Sequence, residues 1–204
     1  MIMDSKPPDG YTQSDWQGHY DRGDLMWDIE QVSPPFARLW EQQKFSAGKT
    51  IIPGCGRGHE VVYFAERGFD VTGVDFAMGA VTHLENSLKE KKLASRVIHG
   101  DFFSLDSSHD GYYDIMFEQT FFCAIAPSKR PLYIDTVKRI LKKGGLLVAL
   151  FYETGEKGGP PFNTTLAHIQ QHFLQHFAAE HLDKATDSIE RRNGKEWLAI
   201  LRKT

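Results

Sequence analysis

The chain has 204 residues, 41% hydrophobic and 25% charged, with a formal net charge of -3. Length and composition suit one soluble globular domain with a substantial core, and the absence of basic excess argues against a dedicated nucleic-acid binder. No apolar run approaches the about 20 residues of a membrane span, and the opening "MIMDSKPPDG" holds no signal-peptide core. The two cysteines, Cys55 and Cys123, form no paired motif, so the default is a reduced, cytoplasmic protein. Nothing in the chain requires more than a monomer.

Residues 1–33 are polar and aromatic, and are expected to form an irregular or partly helical arm on a single domain spanning 1–204. A helix follows from Pro34, with Phe36, Leu39 and Trp40 at helical spacing. "KTIIP" reads as a first strand, Glu60–Arg67 as a helix closed by Gly68, and "DVTGVD" as a second strand. A helix is expected from about Met78 to Lys92, with Val81, Leu84 and Leu88 on one face. "SRVIHGD" and "YYDIMFE" read as the third and fourth strands, Pro131–Lys142 as a helix, and "LLVALFY" as a buried fifth strand. Such alternation predicts an α/β fold, a parallel sheet with helices on both faces. A last helix is expected at Thr164–Phe177. The tail "DSIERRNGKEWLAILRK" then reads as two antiparallel strands about an Asn193-Gly194 hairpin turn.

"IIPGCGRGH" (51–59) lies between the first strand and its helix, where a ligand-binding glycine turn belongs. Counting from Gly54, the dinucleotide fingerprint wants a sixth-position glycine, but His59 stands there. The Gly-Lys-Ser/Thr of a phosphate loop is also missing. Asp75 ends the second strand, where a carboxylate can accept from both hydroxyls of a ribose. Asp101, in "GDFF", ends the third, where it can accept from the amine of adenine while Phe102 lies against the ring. Each residue alone fits a tight turn or a helix cap. Together they favour an adenosine ligand.

Trp16, Tyr20 and Trp27 select which one. Each could simply pack the arm onto the domain, but aromatic faces attract an onium centre by about 0.5–2 kcal/mol. S-adenosylmethionine carries such a sulfonium and no phosphate. The histidines of "HIQQHFLQH", at 168, 172 and 176, form one helical stripe beside Ile169, Phe173 and Phe177, with no acid or cysteine to complete a metal site. Cys55 reads either as a reactive loop thiol or as a buried filler.

The motifs "W…Y…G…MWD", "IIPGCGRGHEVVYFAERGFDVTGVDFA", "GDFF", "YYDIMFEQTFFCAI", "LFYETGEKGGPPF" and "RRNGKEWLAILRK" resemble the thiopurine S-methyltransferase family. They are most similar to its thiol/halide (thiocyanate) branch. The resemblance spans nearly the whole chain and implies a Rossmann-like class I methyltransferase, a mostly parallel seven-stranded sheet with a reversed last strand. It implies cofactor contacts at Trp16, Tyr20, Trp27, Gly54, Gly56, Asp75, Phe76, Asp101, Phe102 and Gln119, and a place facing the acceptor for Tyr152. That tyrosine either positions the acceptor or fills the pocket wall. Three positions depart from common patterns: Ile52 replaces the acid found before many such loops, Tyr20 a frequent tryptophan, and Gln119 a frequent tyrosine.

The implied activity moves a methyl group from S-adenosylmethionine to a small thiol, hydrosulfide, thiocyanate or halide. O-, N- or metalloid methylation and non-catalytic cofactor binding are the alternatives, with a nicotinamide oxidoreductase disfavoured by His59.

Overall fold

The structure, a computed structural model, describes residues 9–204; residues 1–8 of the expected arm lie outside the described residues. In chain order come α1 (Gln13–Arg22), α2 (Pro34–Glu41), β1 (Lys49–Pro53), α3 (His59–Ala65), β2 (Asp70–Asp75), α4 (Met78–Lys91) and β3 (Arg96–His99). They are followed by β4 (Tyr113–Gln119), α5 (Arg130–Ile140), β5 (Leu141–Tyr152), α6 (Leu166–Phe173), β6 (Phe177–Lys184) and β7 (Glu196–Lys203). The strands form one seven-stranded sheet in the order β3-β2-β1-β4-β5-β7-β6. The first five are parallel, and β7 runs antiparallel to both β5 and β6.

Consecutive strand residues alternate between two cores, as the pleat dictates. Ile51, Met116 and Leu147 face Tyr133 and Val137 of α5 and Phe173 of α6. Their neighbours Ile52, Phe117 and Val148 face Phe36 of α2, Phe64 of α3 and Leu84 of α4. Phe64 and Phe117 stack with ring centroids 4.0 Å apart. Burying one such ring contributes about 1.5–3 kcal/mol, so two filled faces pin the register of the central strands. Order reverses between β1, whose neighbour is β2, and β4, which lies on its other side. The carboxyl ends of the strands at this reversal are where open α/β sheets bind ligands.

The C-terminal third departs from expectation. α6 stops at Phe173, and the first hairpin strand is Phe177–Lys184 rather than "DSIERR". Asn193-Gly194 is not the turn of a tight hairpin. Asn193 has φ -57 and ψ 131, Gly194 has φ 73, and the Lys195 amide donates to Arg192 O at 2.9 Å. That is a type II turn, the last bend of a long connection from 185 to 195. β5 also begins earlier than Leu146, because α5 ends at Ile140 and Leu141 already pairs with Tyr113.

Candidate active site

The strand ends surround a cavity of about 510 Å³. Its floor begins at the β1–α3 loop, where Gly54 and Gly56 have φ of 56 and 55, backbone that favours glycine. A Cβ on Gly54 would lie 2.5 Å from Cδ2 of Phe121, so the glycine also admits this ring from the segment after β4. The loop is fastened to β2: the Cys55 amide donates to Val74 O at 3.1 Å and the Gly56 amide to Asp75 Oδ2 at 3.0 Å. Asp75 Oδ1 accepts from the Ala77 amide at 2.9 Å. Each oxygen thus holds one backbone N–H, and the carboxylate, which lines the cavity, keeps acceptor capacity to spare. Burial pushes the Asp75 pKa up, and the Ala77, Gly56 and Phe76 amides pull it back.

The arm forms the roof. A Thr12–Asp15 capping box starts α1. Gln13 Nε2 donates to Phe76 O at 2.6 Å, and Gln17 Oε1 accepts from the Gly79 amide at 3.0 Å, docking α1 on the start of α4. Tyr20 packs over the same glycine-rich surface; a Cβ on Gly56 would lie 3.3 Å from its hydroxyl. Trp16 and Trp27 meet edge to face at 5.1 Å, and Tyr20 and Trp27 at 5.9 Å. The far end of the arm is held from three sides. Arg192 Nη2 donates to Trp27 O and Arg191 Nη2 to Asp28 O, both at 2.6 Å. The Asp28 carboxylate meets His59 Nε2 at 2.9 Å and Arg57 Nε at 3.6 Å.

One buried carboxylate shapes the wall after β4. Glu118, 1% exposed, accepts from the amides of Phe121 and Phe122 and from the Tyr133 hydroxyl at 2.8–3.0 Å. Burial pushes its pKa up to about 7, against the pull of those three donors. This fold-back directs Thr120 and Phe121 into the cavity.

Of the residues singled out in the sequence, Trp16, Tyr20, Trp27, Gly54, Asp75, Phe76, Asp101, Phe102 and Tyr152 line this one cavity. Asp101 also caps a short 3-10 turn, accepting from the Phe103 amide at 3.0 Å, so the cap reading and the cavity reading hold together. Gly56 and Gln119 do not line it. Gly56 reaches the site through its bond to Asp75 and its approach to the Tyr20 hydroxyl, and the Gln119 amide nitrogen is buried without a hydrogen-bond partner among the described residues. Cys55 is buried, and burial raises its thiol pKa well above the usual value, which suits the filler role. His168 of the histidine stripe serves its own helix, its Nδ1 accepting from the Thr165 amide at 3.3 Å.

Several lining residues escaped the sequence reading: Tyr11, His19 and Asp24 of the arm, Thr120 and Phe121, and Arg191 and Arg192. Arg192 is 6% exposed, pairs with Glu196 at 3.3 Å, and sits 6.0 Å from the centroid of the Tyr152 ring. The adjacent arginines in a predicted turn were the available signal. The arm carbonyls they bind lie more than 160 residues away in sequence, beyond any local pattern.

The model of the family described as thiopurine S-methyltransferase matches residues 11–203. The chain belongs to this family. A probable thiol methyltransferase 2 of Arabidopsis thaliana is 32% identical over 160 residues, covering 76% of this chain and 70% of that protein. A thiocyanate methyltransferase 1 of Brassica oleracea is 28% identical over 200 residues, covering 96% and 88%. Among solved structures, the Burkholderia thailandensis 1,6-didemethyltoxoflavin-N1-methyltransferase with bound S-adenosylhomocysteine superposes with TM-score 0.76 at 19% identity. It covers 94% of this chain and 87% of its own, and shares the fold. This member of the thiopurine S-methyltransferase family is an enzyme that uses S-adenosylmethionine. Its cavity fits that cofactor: a carboxylate with acceptor capacity to spare, a loop of glycines and a wall of indole edges lie together. No helix of the described residues is long and apolar enough to cross a membrane.

Proposed function

We propose that the chain methylates a small sulfur nucleophile, with the arm covering one cavity that holds both reactants. One observation carries the reading: Asp75, the indoles of Trp16 and Trp27, and Tyr152 beside Arg192 all line the same space. When bound, S-adenosylmethionine supplies a methyl group on a positively charged sulfur. Asp75 would accept from the ribose hydroxyls and Asp101 from the adenine amine, with Phe76 and Phe102 available against the ring. Gly54 would leave room for the methionyl part, and Trp16, Tyr20 and Trp27 would hold the sulfonium, a contact of about 0.5–2 kcal/mol.

The acceptor half is read from Tyr152 and Arg192. The Tyr152 hydroxyl makes no hydrogen bond among the described residues, which leaves it free for the acceptor. The nearby guanidinium favours an electron-rich, polarisable sulfur. An already anionic sulfur, thiolate, hydrosulfide or thiocyanate, needs only to be positioned in a water-poor site for in-line displacement, which the aromatic walls provide. The buried, unpaired thiols of Cys55 and Cys123 agree with a reducing, cytoplasmic setting.

Titration calorimetry tests the cofactor half. S-adenosylhomocysteine is expected to bind and a nicotinamide dinucleotide to give no heat; the reverse pattern overturns the assignment.

A further inference from the structure

We propose that His19 and Asp24 form a proton-accepting pair for a neutral thiol, so that the acceptor class is an un-ionised R–SH. The inference rests on the methyl-transfer reading above. The pair is built by the end of α1. Gly23 takes the left-handed conformation (φ 67), and the Asp24 amide donates back to His19 O at 3.0 Å. This is the closing bond of a Schellman-type cap. It folds Asp24 over the last turn and brings Oδ2 to 3.1 Å from His19 Nδ1. A carboxylate only accepts, so Nδ1 carries the proton and Nε2 presents its lone pair. Nε2 has no protein partner among the described residues. The ring lines the cavity between Trp16 and Trp27, with centroids at 5.8 and 5.4 Å, the rings assigned above to the sulfonium. An acid fixing the tautomer of a cavity-lining histidine whose other nitrogen has no protein partner among the described residues is the geometry of an oriented general base.

The chemistry balances without a further reactant. The S–H bond breaks with its electron pair left on sulfur, and its proton goes to Nε2. That sulfur forms the new bond to the methyl carbon, while the electrons of the broken C–S bond stay with the departing neutral thioether. Asp24 holds the resulting imidazolium, and the proton leaves to water past its half-exposed side chain. A halide or thiocyanate has no proton to give, so the pair has a use only for thiol acceptors. Besides Asp24 itself, the charged groups facing this space are Asp9 before α1, Asp75 at the end of β2, Asp101 just past β3, Lys129 before α5, and Arg191 and Arg192 from the long connection. Asp15 lies one turn back on α1.

The test compares two acceptors at pH 7 with wild type and His19→Gln: an alkyl thiol, which must lose a proton, and a nitroaryl thiol already ionised. The variant is expected to lose on the order of 100-fold more kcat/KM with the alkyl thiol than with the nitroaryl thiol. Equal losses with both overturn the base and leave sulfur methylation standing. Wild type methylating neither thiol removes the sulfur reading and this proposal with it. A second readout needs no turnover: long-range 15N–1H spectra of the cofactor-free protein should show the Nδ1–H tautomer at His19, and a shift of the tautomer balance in Asp24→Asn. An Nε2–H tautomer in the wild type contradicts the assignment.

Discussion

Glu118→Gln isolates a buried carboxyl that titrates near neutrality and shapes the cavity wall. The replacement keeps an oxygen for the Phe121 and Phe122 amides, while its NH2 can donate to a Tyr133 hydroxyl that reverses its role. In the wild type, burial raises the carboxyl from 4.5 to about 7, equivalent to about 3 kcal/mol of preference for the protonated form in the folded state. Because the folded pKa is the higher one, this contribution is fully present below about pH 4.5 and is lost as pH rises through about 7. Denaturant unfolding of both proteins from pH 4.5 to 8.5 measures it. The stability of wild type relative to the variant should fall by about 3 kcal/mol over that range, the other raised acids, Asp75, Glu60 and Glu196, cancelling in the difference. A difference that stays flat with pH refutes the buried, proton-holding carboxyl.

Asp75→Asn replaces an acceptor of two backbone amides by a group that must turn a donor toward one of them. Affinity for S-adenosylhomocysteine should weaken about ten- to a hundredfold by calorimetry. Trp27→Ala separates cation–π attraction from shape: binding of charged S-adenosylmethionine should fall about 2- to 30-fold more than binding of neutral S-adenosylhomocysteine. Gly54→Ala forces a side chain into left-handed backbone and against Phe121. It should lower stability by about 1–2 kcal/mol before any clash, roughly 2–8 °C in Tm by calorimetric scan.

The sequence announces the first five strands because each is apolar on both faces and β-α alternation spaces them. The edge strand β6 gives no such signal. Of its residues only Phe177 is buried, so "FAAEHLDK" shows no period-2 pattern, and the helical reading runs on through Phe177. Asn193-Gly194 is a turn, as its composition indicates, but its type follows from the Arg192 carbonyl bond rather than from strand pairing. In the cavity, Asp75, Asp101 and Gly54 are legible because positions at or just past the strand ends follow from the strand assignments, although β3 stops at His99 and not at Asp101. Arg192 reaches Trp27 across the whole chain, and no local spacing encodes that. His19 and Asp24 are the intermediate case: Gly23 after a helical turn marks a left-handed cap, and such a cap returns the next residue to the carbonyl five positions back.

The central claim is that this cavity joins S-adenosylmethionine to a sulfur acceptor. Mass spectrometry of reactions with a panel of hydrosulfide, alkyl thiol, aryl thiol, thiocyanate and iodide, set beside hydroxyl and amine acceptors, tests it most directly. Formation of an S-methylated product together with equimolar S-adenosylhomocysteine is the predicted result. Methylation confined to oxygen or nitrogen, or none with any acceptor while S-adenosylhomocysteine still binds, contradicts it.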